Sequence, residues 1–177
     1  MNLNEIIVKS VTESTLQVFS TMLGVEISCS GVVVEAGTPE ASEGVVSFIG
    51  LAGSWAGTGS VSCSPALACR ICATMLMCEA PSVNEDVLDA VAELTNMIVG
   101  GVKTELELHL CPMGLSIPTV VYGRNFKTKG AGNTEWIVLR FQWDDDPLTV
   151  KLCLEPKDQA AHVLFHTSAT QSCALEV

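Results

Sequence analysis

The most constraining feature of this sequence is the long helical periodicity between residues 85 and 108. Apolar side chains recur there every three or four positions, which places them on one face of an α-helix. They are Val87, Val91, Leu94, Ile98, Val102 and Leu106. Asn84 precedes them as an expected N-cap. The pattern therefore predicts a long helix whose apolar stripe is buried against another layer of structure.

Helical and strand patterns alternate along the rest of the chain. Residues 2–23 form an amphipathic pattern that ends at Gly24, and Ser64-Pro65 is typical of the start of a helix over about 65–78. Val- and Ile-rich segments between turn residues predict six strands. They are about 25–35, 43–52, 55–63, Leu115–Tyr122, 134–143 and 147–155. This order predicts an α/β two-layer domain with long helices on a largely antiparallel sheet of about six strands.

Length and charge limit the class of protein. With 177 residues the chain is expected to form one domain, over 1–156, followed by a tail at 157–177 to which we assign no role. No apolar run approaches the ~20 residues of a spanning helix, and the first residues lack a basic signal region, so a cytoplasmic protein is expected. The net charge of -11 excludes a nucleic-acid partner, because binding to phosphate backbones needs clustered Lys and Arg.

Neither the cysteines nor the histidines predict a metal site. The eight cysteines lie mostly in apolar segments and are expected to be reduced core residues. Cys69 and Cys72 have CxxC spacing, but no second pair supplies the remaining ligands of a zinc site. His162 and His166 lie in the tail without a nearby carboxylate pattern. We therefore expect no metal ion and no cofactor on this chain.

The polar face of the long helix carries the candidate chemistry. Asp89, Glu93, Asn96 and Gly100 follow one another at spacings of four, three and four residues, so they share one face. Gly100 and its neighbour Gly101 each cost about 1 kcal/mol of helix stability relative to alanine. Two such glycines predict that another surface approaches the helix backbone at this point.

The first helix matches the long helix weakly at an offset of eighty residues. Five identities are found, at Asn4, Glu5, Val11, Glu13 and Thr15 and at the corresponding positions 84, 85, 91, 93 and 95. The match suggests an old internal duplication. Asn96 has no counterpart, because its equivalent position is Leu16.

The motif around Asn96 resembles a known family. An Asp, three residues, Glu93, two residues, Asn96 and a proline twenty-two residues later, Pro118, form a pattern similar to that of the CheC/CheX/FliY chemotaxis phosphatases. The segment from Asp89 to Gly100, the Leu115–Val120 strand and the glycine-punctuated hairpin near residues 50–59 resemble CheX in particular. The likeness covers about residues 2–156, and Leu16 leaves one site of this kind, as in CheX.

The resemblance implies a phosphatase that acts on the aspartyl phosphate of a CheY-like response-regulator receiver. Asn96 would orient the attacking water, and Glu93 would pair with the receiver's active-site lysine. The receiver would bring its own Mg²⁺, and the chain itself would form a homodimer through sheet edges. Gly100 would lie at the partner surface. Asp89 would either shape that surface or only keep the helix solvated, and Pro118 would be structural.

A second hypothesis belongs to a different class. The same helix face could serve a non-catalytic adaptor or motor-switch-like module that binds a receiver without hydrolysing its phosphate. Glu93 and Asn96 together favour catalysis, since binding alone does not need the amide.

Overall fold

The computed structural model describes residues 2–36, 42–126 and 135–157. Its helices are α1 (Leu3–Val18), extended by a π-helical turn (Phe19–Leu23), α2 (Pro65–Leu76) and α3 (Glu85–Glu107). Its strands are β1 (Ser28–Ala36), β2 (Ser42–Gly53), β3 (Trp55–Cys63), β4 (Met113–Leu115), β5 (Thr119–Phe126), β6 (Glu135–Trp143) and β7 (Asp146–Pro156). None of the described helices combines the length and the apolar character that crossing a membrane requires.

Local capping explains where the first two helices begin and end. The side chain of Asn2 accepts a hydrogen bond from the N–H of Glu5 at 2.9 Å, and the Glu5 carboxylate accepts one from the N–H of Asn2 at 3.1 Å. Gly24 ends the first helical segment with a left-handed φ of 66°. Ser64 caps α2 by accepting from the N–H of Leu67 at 3.1 Å. The predicted starts and the glycine stop are confirmed.

The sheet is antiparallel and repeats one arrangement twice. Its strand order is β1-β6-β7-β3-β2, and the far side of β2 pairs with both β4 and β5. The β1–β6 pair corresponds to the β5–β2 pair, β2–β3 corresponds to β6–β7, and β3–β7 lies at the centre. Each half is therefore one helix followed by strands of the same pairing pattern, which supports the internal duplication suggested by the helices.

One hydrophobic core fills the space between the helices and one face of the sheet. From the strands it receives alternate residues, as a sheet covered on one face requires. These are Val45, Ile49, Leu51, Val61, Ile137, Leu139, Phe141, Leu148, Val150 and Leu152. The α1 and α3 helices pack side by side over them, and the hydroxyl of Ser14 donates to the carbonyl of Ile98 at 2.7 Å. The α/β two-layer architecture is as predicted.

The region after α3 differs from the predicted strand Leu115–Tyr122. The observed chain forms β4 and β5, separated by Ser116-Ile117-Pro118, and β5 continues to Phe126, four residues beyond the predicted end at Tyr122. Proline has no N–H to donate to a ladder, which explains the interruption. The described part of the sheet therefore has seven strands, and residues 127–134 lie outside it.

The cysteines follow the prediction only in part. Cys63, Cys72 and Cys153 are buried, and burial, with smaller contributions from Cys69 and Asp146, raises the pKa of Cys63 to about 12. Cys29, Cys78 and Cys111 are exposed, because they lie on an edge strand and in loops rather than in the core. All seven described cysteines are free thiols. Cys173 and both tail histidines belong to residues 158–177, outside the described ranges.

Candidate functional site

The rotational orientation of helix α3 is fixed by its buried apolar stripe. Asn84 caps it by accepting from the N–H of Val87 at 3.0 Å. Every residue of the predicted apolar stripe has at most 1% of its surface exposed. Because this face is fixed against α1, α2 and the sheet, the opposite face must point away from the core.

The predicted polar ridge lies on that outward face. Asp89 and Glu93 are exposed, and Asn96 and Gly100 are partly exposed, one helical turn apart in sequence. We call these four residues the α3 ridge. The open, side-by-side placement that the sequence predicted is present, and the catalytic and docking roles of the four residues remain predictions.

The functional groups of the α3 ridge are available to a partner. Within the described residues, the side chains of Asp89, Glu93 and Asn96 make no hydrogen bond or ion pair with other protein groups. A carboxylate can only accept hydrogen bonds, whereas the carboxamide of Asn96 can both accept and donate. The ridge thus offers two anionic groups, Asp89 and Glu93, and one neutral amide that can orient a small polar molecule.

The C-terminal end of the same face is closed by internal contacts. Lys103 Nζ lies 2.8 Å from Glu107 Oε2, and Glu107 Oε1 accepts from the N–H of Met113 at 2.6 Å. The hydrogen bond from Lys103 and the one from the Met113 backbone lower the pKa of Glu107. These contacts attach the start of β4 to the end of α3, so Lys103 and Glu107 are structural.

The β4–β5 interruption lies beside the ridge. The hydroxyl of Ser116 accepts from the N–H of Gly50 at 2.9 Å, and the N–H of Ser116 donates to the Gly50 carbonyl at 2.9 Å. The same hydroxyl donates to the carbonyl of Ile117 at 2.9 Å. A side chain thus substitutes for part of the backbone ladder, and half-buried Pro118 follows directly, consistent with the structural role expected for it.

The two glycines of α3 have different surroundings. A Cβ on Gly101 would collide with the hydroxyl of Ser14 and lie 3.2 Å from its Cβ, so the crossing of α1 and α3 requires this glycine. A Cβ on Gly100 would meet only the Leu115 Cδ1 at 3.9 Å, an ordinary contact. The expected approaching surface is therefore α1 at Gly101, whereas Gly100 remains open to an external partner.

Two features of the site could not be found by pattern alone. Ser14 contacts α3 across 84 residues of sequence, and Ile117 is 87% exposed at the interruption next to the ridge. The only sequence signal for Ile117 is its position before Pro118, which restricts its backbone to an extended conformation. Among the described residues, no three His, Cys, Asp or Glu side chains are grouped so that they could hold a metal ion.

The sequence and the fold match known proteins. The model of the family described as "Chemotaxis phosphatase CheX" matches residues 45–142, which include the α3 ridge and Pro118. A CheC-like superfamily protein from Shewanella sp. PV-4 has a similar structure, with a TM-score of 0.76 and 27% identity over 88% of this chain and 99% of the other. No curated protein matches the sequence.

Two further structures extend the comparison. The chemotaxis protein CheX from Vibrio vulnificus has a TM-score of 0.74 and 26% identity, covering 88% of this chain and 100% of the other. A CheX from Borrelia burgdorferi, solved as a CheX-CheY-BeF3-Mg+2 complex, has a TM-score of 0.66 and 21% identity, covering 84% of this chain and 97% of the other. The last likeness supports the fold alone.

Proposed function

This chain belongs to the CheX family of chemotaxis phosphatases, and on that premise we propose that it dephosphorylates a CheY-type receiver by inserting Glu93 and Asn96. The observation that carries the proposal is the placement of Glu93 and Asn96 on the α3 ridge: both side chains face away from the core, and neither has a protein partner among the described residues. Both lie inside the segment that the family model matches. The Borrelia structure, a CheX-CheY-BeF3-Mg+2 complex, supports the choice of a CheY-type receiver as the partner in this proposal.

The reaction is hydrolysis of an acyl phosphate. The oxygen of a water molecule bonds to phosphorus while the bond from phosphorus to the aspartyl oxygen breaks. The products are the free carboxylate and inorganic phosphate, which takes up the hydrogens of the water. Such loose transition states depend on positioning and charge stabilisation more than on a strong base. The Mg²⁺ that stabilises the charge would belong to the receiver.

Asn96 is suited to position that water. Its amide oxygen accepts a hydrogen bond from the water and its N–H group donates one, so the water is held in one orientation without being deprotonated. The partly exposed position of Asn96 on an outward helix face allows it to enter a pocket of another protein. A hundredfold contribution to the rate corresponds to about 2.7 kcal/mol of transition-state stabilisation.

Glu93 is suited to dock the helix. It lies one helical turn before Asn96 and is exposed, so its carboxylate can pair with a lysine in the receiver's active site. Asp89, also exposed, adds a second negative charge toward the same basic region. Gly100 lets the receiver approach the α3 backbone, because it presents no side chain there.

The decisive experiment follows the decay of a phosphorylated receiver. CheY-type receivers encoded in the same genome are phosphorylated and mixed with wild-type protein or with Asn96→Ala. Wild-type protein is expected to shorten the lifetime of the phosphoaspartate, and Asn96→Ala to bind the receiver with nearly unchanged affinity while losing this effect. Complex formation by wild-type protein without faster decay would instead support the adaptor hypothesis.

A homodimer is part of the proposal. Strand β1 is an edge of the sheet, and its Val32, Val33 and Val34 are 44%, 41% and 51% exposed, an apolar edge of the kind that pairs with another strand. Sedimentation of wild-type protein is expected to give a dimer, and Val33→Lys to give a monomer. A monomeric wild-type protein at micromolar concentration would contradict this part of the proposal.

A further inference from the structure

Ile117 is an apolar side chain displayed beside the α3 ridge. It is 87% exposed. Single exposed apolar residues are common on protein surfaces and need no explanation by themselves. Two independent observations distinguish this residue: the way in which its backbone is fixed, and its position relative to the catalytic helix.

The backbone on both sides of Ile117 is constrained. Ser116 forms two hydrogen bonds with Gly50 and a third with the carbonyl of Ile117 itself, each 2.9 Å long. On the other side, Pro118 fixes its own φ and limits Ile117 to extended conformations. Between Leu51–Leu115 and Phe48–Thr119 the pairing register shifts by one residue, which is the count of a β-bulge. Bulges re-aim side chains, and this one leaves Ile117 outside the sheet.

The bulge lies next to Gly100, the last residue of the α3 ridge. Leu115, two residues before Ile117, approaches the Gly100 position to 3.9 Å, as measured from its Cδ1 to an ideal Cβ. Gly100 is one helical turn after Asn96 on the same face. A protein whose pocket encloses Glu93 and Asn96 would therefore also cover Gly100 and meet Ile117 at its margin.

We propose that Ile117 is an affinity anchor for the receiver, inserting into an apolar surface that borders the phosphorylation pocket. The inference rests on the proposed function, because it takes its occupant from there. The polar groups and the glycine of the α3 ridge serve the reaction but bury little apolar area. Ile117 would supply the apolar contact that the ridge lacks. Burying one isoleucine contributes between about tenfold and a hundredfold in affinity.

The test separates binding from turnover. Ile117→Asp is expected to raise the KM for a phosphorylated receiver, and the Kd for the same receiver carrying BeF3 and Mg²⁺, by about tenfold or more. Because Ile117 touches no reacting atom, kcat at saturating receiver should stay within about twofold. Ile117→Leu should retain nearly full affinity, since it keeps the apolar volume.

Further variants and one stability measurement test whether added charge or lost stability alone could explain a higher KM. Met22→Asp places the same charge on an exposed apolar position of the π-helical turn after α1, where the residue is 52% exposed, and should leave KM unchanged. Ser116→Ala should raise KM partially, because it removes the two hydroxyl hydrogen bonds of the bulge and keeps the backbone bond to Gly50. Thermal unfolding of Ile117→Asp should match wild type, because the side chain is exposed.

The inference and the proposed function can fail separately. Wild-type protein that neither binds nor dephosphorylates any receiver would overturn the proposed function. Wild-type protein that is active while Ile117→Asp keeps its KM and Kd would overturn only the anchor. A fall in kcat with unchanged Kd would also overturn it, because that result would place Ile117 in the reaction rather than in binding.

Discussion

Helices α1 and α3 occupy equivalent places in the two halves of the sheet, and their buried sides are nearly interchangeable. At an offset of eighty residues, Val11 and Thr15 of α1 are as buried as Val91 and Thr95 of α3. Both threonine hydroxyls donate to the carbonyl four residues earlier, at 2.7 Å in each helix. The buried faces of both helices therefore carry the same residue types and the same hydrogen bond at these positions.

The outward sides of the two helices have diverged. Where α3 has Asp89, α1 has Lys9, which lies 3.8 Å from the carboxylate of Glu13 and partly neutralises it. Where α3 has Asn96, α1 has Leu16, which packs against the core. The scaffold is thus set by buried positions, while the proposed chemistry depends on a few exposed positions that packing does not constrain.

The largest expected effect comes from making α3 resemble α1 at one position. Asn96→Leu should lower the rate of receiver dephosphorylation at saturation by about a hundredfold, equivalent to about 2.7 kcal/mol, because the water loses its orienting amide. Leu16→Ala on α1 is the matched control and should leave that rate unchanged. An equal loss in both variants would show that the two helices are not functionally distinct.

The two adjacent glycines of α3 should respond to alanine in opposite ways. Gly101→Ala should lower the free energy of unfolding by about 1–3 kcal/mol, because the added methyl group overpacks against Ser14. Gly100→Ala meets no such obstacle and should raise stability by up to about 1 kcal/mol through helix propensity. Chemical denaturation measures both. The same Gly100→Ala protein should bind the receiver more weakly, and unchanged binding would remove Gly100 from the partner surface.

The two equivalent glutamates should also behave differently. Glu93→Ala is expected to raise the KM for phosphorylated receiver about tenfold, or about 1.4 kcal/mol, and to lower kcat as well, because the helix loses its register in the pocket. Glu13→Ala on α1 should change neither value by more than about twofold. Steady-state dephosphorylation with both variants tests this, and a comparable effect at Glu13 would place the receiver across both helices.

The smallest expected effect concerns Glu107, which lies at the C-terminal end of α3 and makes internal contacts. Because Lys103 and the N–H of Met113 lower the folded-state pKa of Glu107, its stabilisation is present above the unfolded pKa of about 4.3 and is lost as the pH falls through the folded value. Glu107→Gln should therefore flatten the loss of thermal stability below about pH 5. Receiver dephosphorylation at neutral pH should not change, and a change there would extend the ridge to Glu107.

The parts of the molecule that sequence predicted are those governed by local periodicity. The capped α3 helix, its apolar stripe and its outward polar face follow from spacings within one element, and the observed bounds of Glu85–Glu107 differ from the expectation by one residue. The family resemblance then identified which polar residues of that face to single out. Neither step required knowledge of contacts between distant segments.

The features that sequence did not predict depend on such contacts. The bulge at Ser116 exists because its hydroxyl bonds to Gly50, 66 residues away, and no local pattern encodes that bond. The distinction between Gly100 and Gly101 likewise depends on Ser14 of another helix. Exposure of Cys29 on an edge strand follows from strand order, which hydrophobicity within one segment does not specify.

The proposed function is tested most directly by the structure of this protein in complex with a CheY-type receiver carrying BeF3 and Mg²⁺. We predict that α3 enters the receiver's active site, with the Asn96 amide beside the beryllofluoride group and the Glu93 carboxylate beside a receiver lysine. A complex in which the receiver contacts α1 or the uncovered face of the sheet, leaving Asn96 in solvent, would contradict it.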